Sequence, residues 1–229
     1  MRALAIDTSS QRASVVLWEN GRSSATEHND DPKRHAETLA GLIERALASA
    51  GWSKKQIDLI SCCVGPGSFT GVRVGLSCAK GLALGLNRPI VGVGSLAAMA
   101  YDVKLDRGEV VVPLLDARKG EVFWAAYDVD RACVAGPGHV TASRVREIFD
   151  ALGTTNPVVV GEITSRLDVG SRRVLRGETT DVVDGAVIAR LGIEIFAERG
   201  ADDLDALEPT YVRPPDITLP AHRTDLPIG

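Results

Sequence analysis

Apolar residues recur along the chain in two rhythms, one with the period of a strand and one with the period of a helix. The runs ALAID (3–7) and ASVVLW (13–18) flank the polar turn TSSQR and predict a hairpin, with a third short strand near 22–26. Asp31 followed by Pro32 supplies an N-cap and a first-turn proline. Leu39, Leu42, Ile43, Ala46 and Leu47 then recur at helical spacing, predicting a helix over 33–49 that stops at Gly51. The β-branched run 57–64 reads as a buried strand, 68–86 as a helix and PIVGV (89–93) as a further strand. The order is β-β-β-α-β-α.

From residue 110 the pattern restarts. VVVPLLD (110–116) and VFWAAYD (122–128) predict strands around the turn ARKGE, with more strand before Gly136. A helix with Val145, Ile148, Phe149 and Leu152 on one face follows, then a strand PVVV (157–160) and a helix from Asp184 to Arg199 closed by Gly200. Asp7 and Asp116 each end the opening strand of a half, and the offset between them carries the helix start at 33 to 142. Matching order predicts an internal duplication. The halves span 1–105 and 106–218, joined by the polar stretch YDVKLDRGE (101–109), with a flexible tail expected at 219–229.

Composition narrows the functional classes. The 229 residues, 45% hydrophobic and 24% charged, suffice for a sizeable core. A formal net charge of -4 argues against a protein that grips nucleic acid by itself, because phosphate binding needs a cationic surface. The start MRALAIDTSS has no long apolar run and nothing in the chain is long enough for a membrane span, so a cytoplasmic location is expected. Cys62, Cys63, Cys78 and Cys133 contain no C-x-x-C pair, and neighbours in a strand such as Cys62 and Cys63 face opposite ways, so reduced thiols are expected.

The stretch GPGSFTGVRVGLSCAKGLALG (65–85) places a glycine-rich turn between a strand and a helix, as nucleotide-binding loops do. A Walker loop would need a glycine five residues after Gly65 and then a lysine, whereas Thr70 stands at the glycine position and no lysine follows. The dinucleotide fingerprint fails by one position at Gly71. Gly71, Gly75 and Ala79 instead recur every fourth residue, with Phe69 ahead of them and Val72, Leu76 and Leu82 alongside. Together with Leu39, Leu42 and Ile43 of the first helix they form a candidate docking surface for a partner. Close packing onto this chain's own sheet or first helix is the other reading. Arg73 and Lys80 exclude a membrane dimer.

The turn DTSS offers a carboxylate and hydroxyls, making Asp7, Ser9 and Ser10 a possible vestigial nucleotide site. Its duplicate DARKGE carries Ala117 and Arg118, whose side chains would obstruct close approach to phosphate. Two polar hairpin turns with local aspartate bonds are the alternative reading. His28, His35, His139 and His222 make no metal-binding pair, and Ser68 has no recognisable base or nucleophile elbow. No metal, cofactor or catalytic residue is expected. The basic pairs Lys33-Arg34, Lys54-Lys55 and Arg172-Arg173 read as solvated faces.

Taken together, LAIDTSSQRASVVLW, the 65–85 stretch, LLDARKGEVFWAAYD and LEPTYVRPPD resemble the TsaB (YeaZ) family. The resemblance implies a duplicated actin-like (ASKHA, ribonuclease H-like) α/β fold. It further implies a non-catalytic dimerisation subunit for threonylcarbamoyl transfer to the tRNA adenosine next to the anticodon. The implied partners are the catalytic homologue TsaD, the ATPase TsaE through the complex and tRNA only via the complex, with a homodimer as the alternative pairing when the chain is alone. The catalytic relative's H-x-x-x-H metal pair corresponds to Ser95 and Met99, neither a replacement ligand for such a metal. A residual nucleotide-binding enzyme, ATPase-like or peptidase-like, is the alternative.

Overall fold

The computed structural model describes residues 1–153 and 157–213. The tail at 219–229 and the end of the second half therefore lie outside the described residues. Two five-stranded mixed sheets carry the fold. In the first, β1 (Arg2–Asp7), β2 (Ala13–Glu19), β3 (Arg22–Asn29), β4 (Leu59–Gly65) and β5 (Ile90–Gly94) lie in the order β3-β2-β1-β4-β5. In the second, β6 (Val111–Arg118), β7 (Glu121–Tyr127), β8 (Cys133–Thr141), β9 (Val158–Val160) and β10 (Arg173–Leu175) lie in the order β10-β9-β6-β7-β8. Read from the other edge, that is the same topology. β1 is antiparallel to β2 and parallel to β4, and β6 is antiparallel to β7 and parallel to β9.

The helices are α1 (His35–Ala50), α2 (Phe69–Leu86), α3 (Ser95–Ala100), α4 (Val145–Ala151), α5 (Glu178–Asp181) and α6 (Gly185–Arg199). The duplication reaches their entries: a 3-10 turn at Pro32–Arg34 leads into α1 and one at Ala142–Arg144 leads into α4. Asp31 caps the first of these turns, its side chain accepting from Lys33 N at 3.0 Å. Gly51 ends α1 in the left-handed conformation, φ 67°, which a glycine adopts without penalty.

The halves differ from the repeated β-β-β-α-β-α pattern at their ends. Between β9 and β10 there is only a 3-10 turn, Glu162–Arg166, where the first half has the long helix α2. The sequence there lacks a helical apolar stripe, and β10, three residues long, is too short to show a strand period. β8 runs through Gly136 and Pro137 to Thr141, because these two residues fall where the β7–β8 register shifts, opposite Ala125 alone, and a bulge on an outermost strand takes a proline without losing a ladder bond.

One face of the first sheet packs Leu4, Ile6, Val15, Leu17 and Ile60 against Leu39, Leu42, Ile43, Ala46 and Leu47 of α1 and Leu76, Ala79 and Ala83 of α2. Its other face packs Ala3, Ala5, Val16, Cys63 and Val93 against Val187, Ile188 and Ala189 of α6. So α6, late in the sequence, lies on the first sheet. Close approach is possible because a Cβ on Gly192 would stand 2.0 Å from Ser61 Oγ. Cys62 and Cys63 enter opposite cores, as their alternation requires. Among the described residues no helix is long and apolar enough to cross a membrane.

Candidate functional site

The β1–β2 turn is where the sequence places its candidate hydroxyl and carboxylate chemistry. Asp7, Thr8 and Ser9 are all buried there. Asp7 Oδ1 accepts from Ser9 N at 2.9 Å, and the matching bond recurs in the second half, where Asp116 Oδ1 accepts from Arg118 N at 2.7 Å. Each aspartate thus closes its own turn. The first turn is sealed by the loop ahead of α2: Ser68 N donates to Ser9 O at 2.7 Å, and Gly67 lies so close that a Cβ would stand 2.3 Å from that oxygen. Asp7 is fully buried, and desolvation pushes its carboxyl up from 3.8 to about 6 against the opposing hydrogen bond from Ser9 N. Its neighbour Cys63 is held well above the ordinary thiol value, first by burial and then by the Asp7 charge. Asp7 Oδ2 and Ser9 Oγ have no hydrogen-bond partner among the described residues.

A cleft of about 450 Å³ opens between the halves. Ser9 and Ser10 line it together with Gln11, the 66–70 loop, Arg118 and Lys119, whereas Asp7 stands behind. The three candidate residues are therefore not assembled as one open site. Across the cleft, Arg118 and Lys119 take positive φ values of 65° and 54° in the second turn. Their side chains line the cleft where a phosphate would need bare backbone.

The small-residue face of α2 is turned inward. A Cβ on Gly71 would stand 2.0 Å from Thr8 O, one on Gly75 would stand 2.3 Å from Thr8 Oγ1, and Ala79 has no exposed surface. Thr8 Oγ1 also donates to Gly71 O at 2.6 Å. Val72 and Leu76, and Leu39, Leu42 and Ile43 of α1, are buried as well. The docking expectation is corrected for these residues: they serve the chain's own sheet and turn, and a partner's helix cannot reach them. Of the expected set, Phe69 is 42% exposed and Leu82 is half-buried. The outward face of α2 consists instead of Thr70, Arg73, Ser77, Gly81, Leu84 and Gly85, with Leu84 72% exposed and nothing within 4 Å of a Cβ on Gly81 or Gly85.

Ser95 and Met99 are both buried, Ser95 Oγ donating to Pro66 O at 2.5 Å and Met99 lying in the core under α6. His35 is also buried, its Nε2 3.2 Å from Gln11 O. Sequence reasoning missed a cluster at the mouth of the cleft. The Arg73 guanidinium lies 3.6 Å from the centre of the Phe69 ring and donates to Tyr211 Oη at 2.7 Å. The only sequence signal was an aromatic in LEPTYVRPPD, a segment with no periodicity.

A family model described as TsaD: tRNA N6-adenosine threonylcarbamoyltransferase matches residues 29–157. The Escherichia coli (strain K12) tRNA threonylcarbamoyladenosine biosynthesis protein TsaB is 41% identical over 132 residues, 57% of this chain and 56% of the relative. The chain thus spans about half the length of the curated relatives it matches. YeaZ from Pseudomonas aeruginosa superposes with a TM-score of 0.74 at 26% identity, covering 92% of this chain and 99% of that one. The activator of the 2-hydroxyisocaproyl-CoA dehydratase from Clostridium difficile, at 10% identity and a TM-score of 0.54 over 86% of this chain and 96% of its own, shares the fold alone. That fold is the duplicated actin-like one. With more than half of its length matched by the family model and its nearest features shared with proteins named TsaB and YeaZ, the chain belongs to the TsaD family and, within it, to the TsaB (YeaZ) group.

Proposed function

We propose that the chain is a non-catalytic scaffolding subunit in tRNA threonylcarbamoyladenosine biosynthesis, pairing with a catalytic homologue of the TsaD type through the outward face of α1 and α2. The observation that carries this reading is the outward face of α2. Gly81, Leu84 and Gly85 present small and apolar groups to solvent, and glycine inside a helix costs roughly 0.5–1 kcal/mol without a packing reason. The neighbouring helix α1 exposes Ala36, Ala40 and Ala48. Two such faces accept a pair of helices at close range. The relatives' name supports the pathway, and the chemistry at Ser95 and Met99 supports the absence of catalysis: one hydroxyl is committed to a carbonyl and the thioether is packed in a core. The ATPase TsaE and tRNA join through the complex, in the cytoplasm, and a second copy occupies the face when the partner is missing.

Co-purification with the TsaD-type protein of the same organism tests this. Leu84→Glu and Gly81→Glu are expected to abolish pairing while the unfolding transition of the isolated chain stays close to wild type. Normal pairing by both variants would sink the reading. The isolated chain is also expected to bind tRNA weakly, in line with its charge of -4. Tight, salt-sensitive gel shifts without the partner would contradict that. A nucleotide-binding enzyme would need phosphates against the β1–β2 turn, where Gly67 already covers the Ser9 carbonyl.

A further inference from the structure

Away from the cleft, a cavity of about 530 Å³ opens where α3, the link that follows it, the β7–β8 turn and α6 meet. Its floor is apolar, made by Ala97 and Ala100 of α3, Val103 and Leu105 of the link and Leu191 of α6. Tyr127 packs with Val103 and Leu105 against Ala100, and Val129 at the rim is 50% exposed. Tyr101 forms one wall. Its hydroxyl donates to Glu194 of α6, and the guanidinium carbons of Arg131 and Arg190 lie 4.0 Å and 4.7 Å from the centre of its ring. Arg131 is brought there by a turn in which it takes φ 64°, a conformation that glycine adopts more readily than a residue with a side chain. Its contacts with Tyr101 and Glu194 offset that strain and fix a guanidinium at the edge of the cavity.

The carboxylates that line this cavity are already engaged. Asp102 pairs with Arg190, and Asp128 Oδ1 accepts from Asp130 N at 3.0 Å and from Ala132 N at 2.9 Å within its own turn. Two donors that line it are not engaged: the Tyr127 hydroxyl and the Lys104 ammonium have no hydrogen-bond or ion-pair partner among the described residues. Burial, and then the nearby Cys133, hold the Tyr127 hydroxyl above its ordinary value, so it stays protonated and able to donate. We propose that this cavity binds a small organic anion, a carboxylate or a phosphate monoester carrying one apolar group. The apolar group lies on the floor, and the anionic oxygens accept from Lys104 and Tyr127. The preference for an anion comes from these two donors, since Glu194 and Asp102 balance the charges of Arg131 and Arg190. A cavity of this size, apolar with a few polar groups, has the character of a small-molecule site. It shares no residue with the cleft or with the outward face of α2, so binding here is separate from pairing.

Titration of the full chain with phenylacetate, phenyl phosphate and benzylamine, followed by backbone amide shifts, is the test. The two anions are expected to shift Ala97, Leu105 and Val129 saturably and to leave Ser10 and Gln11 of the cleft unmoved, whereas benzylamine shifts none of them. A response to one anion alone supports the site and names its headgroup. Lys104→Glu is expected to weaken anion binding about tenfold and Tyr127→Phe about threefold, as loss of a charged and of a neutral hydrogen bond requires. Neither variant breaks a bond within the fold, because neither side chain has a partner to lose. Absence of saturable shifts with both anions, equal binding of benzylamine, or wild-type affinity in Lys104→Glu overturns the proposal.

Discussion

Burial, with no cationic partner beside it among the described residues, sets the chemistry of Asp7. Its carboxyl is raised from 3.8 to about 6 by desolvation, so the folded chain holds this proton more tightly than the unfolded chain does. The contribution to stability is fully present below about pH 4 and is lost as pH rises through about 6, a difference of roughly 3 kcal/mol. Asp7→Asn keeps an acceptor for Ser9 N and cannot ionise. The variant is expected to gain on wild type between pH 4 and 7 by up to about that amount, read as a rising difference in urea midpoint. A parallel pH dependence in both proteins would show that Asp7 does not titrate in this range. The sequence placed Asp7 at the end of a strand beside Ser9 and Ser10. That the 66–68 loop seals this turn was not legible, because it depends on a contact between residues some sixty positions apart.

At the scale of the element, α2 shows the same residue type doing opposite work on its two faces. Gly71 and Gly75 face Thr8, with a Cβ 2.0 and 2.3 Å from its atoms, whereas Gly81 and Gly85 face open space. Gly71→Ala is expected to lower stability by about 1–3 kcal/mol, because the obstructing atom is a backbone carbonyl that cannot swing away. Gly81→Ala is expected to raise it by about 0.5–1 kcal/mol, the ordinary helix gain over glycine. Urea melts of the two variants separate the faces, and a matching sign in both would refute this division of α2. The four-residue repeat of small residues was visible in the sequence, and it correctly requires a close neighbour. It could not say which neighbour, since a helix period fixes a face and leaves its occupant open.

At the scale of the whole molecule, the two halves of the sequence are not two independent folding units. Val187, Ile188 and Ala189 of α6 cover the first sheet beside Ala3, Ala5 and Val16, so a fragment ending at residue 105 would leave that apolar face in water. Such a fragment is expected to bind a hydrophobic dye and to lack the near-ultraviolet signal of a packed core. A cooperative unfolding transition in the isolated fragment would show that α6 is dispensable. In the intact chain, Gly192→Leu is expected to lower stability by several kcal/mol, because Ser61 Oγ and Cβ already occupy that space.

Periodicity by itself determined most of the elements and their order, down to the cap at Asp31 and the matching turns that begin α1 and α4, because those features depend on neighbours within a few positions. It also determined that two similar units are present. Only the tertiary structure decided that α6 crosses to the first sheet and that Thr8 fills the small-residue face of α2. These are contacts between segments far apart in sequence, and a local pattern of apolar and polar positions states how much surface must be buried without stating which segment will bury it.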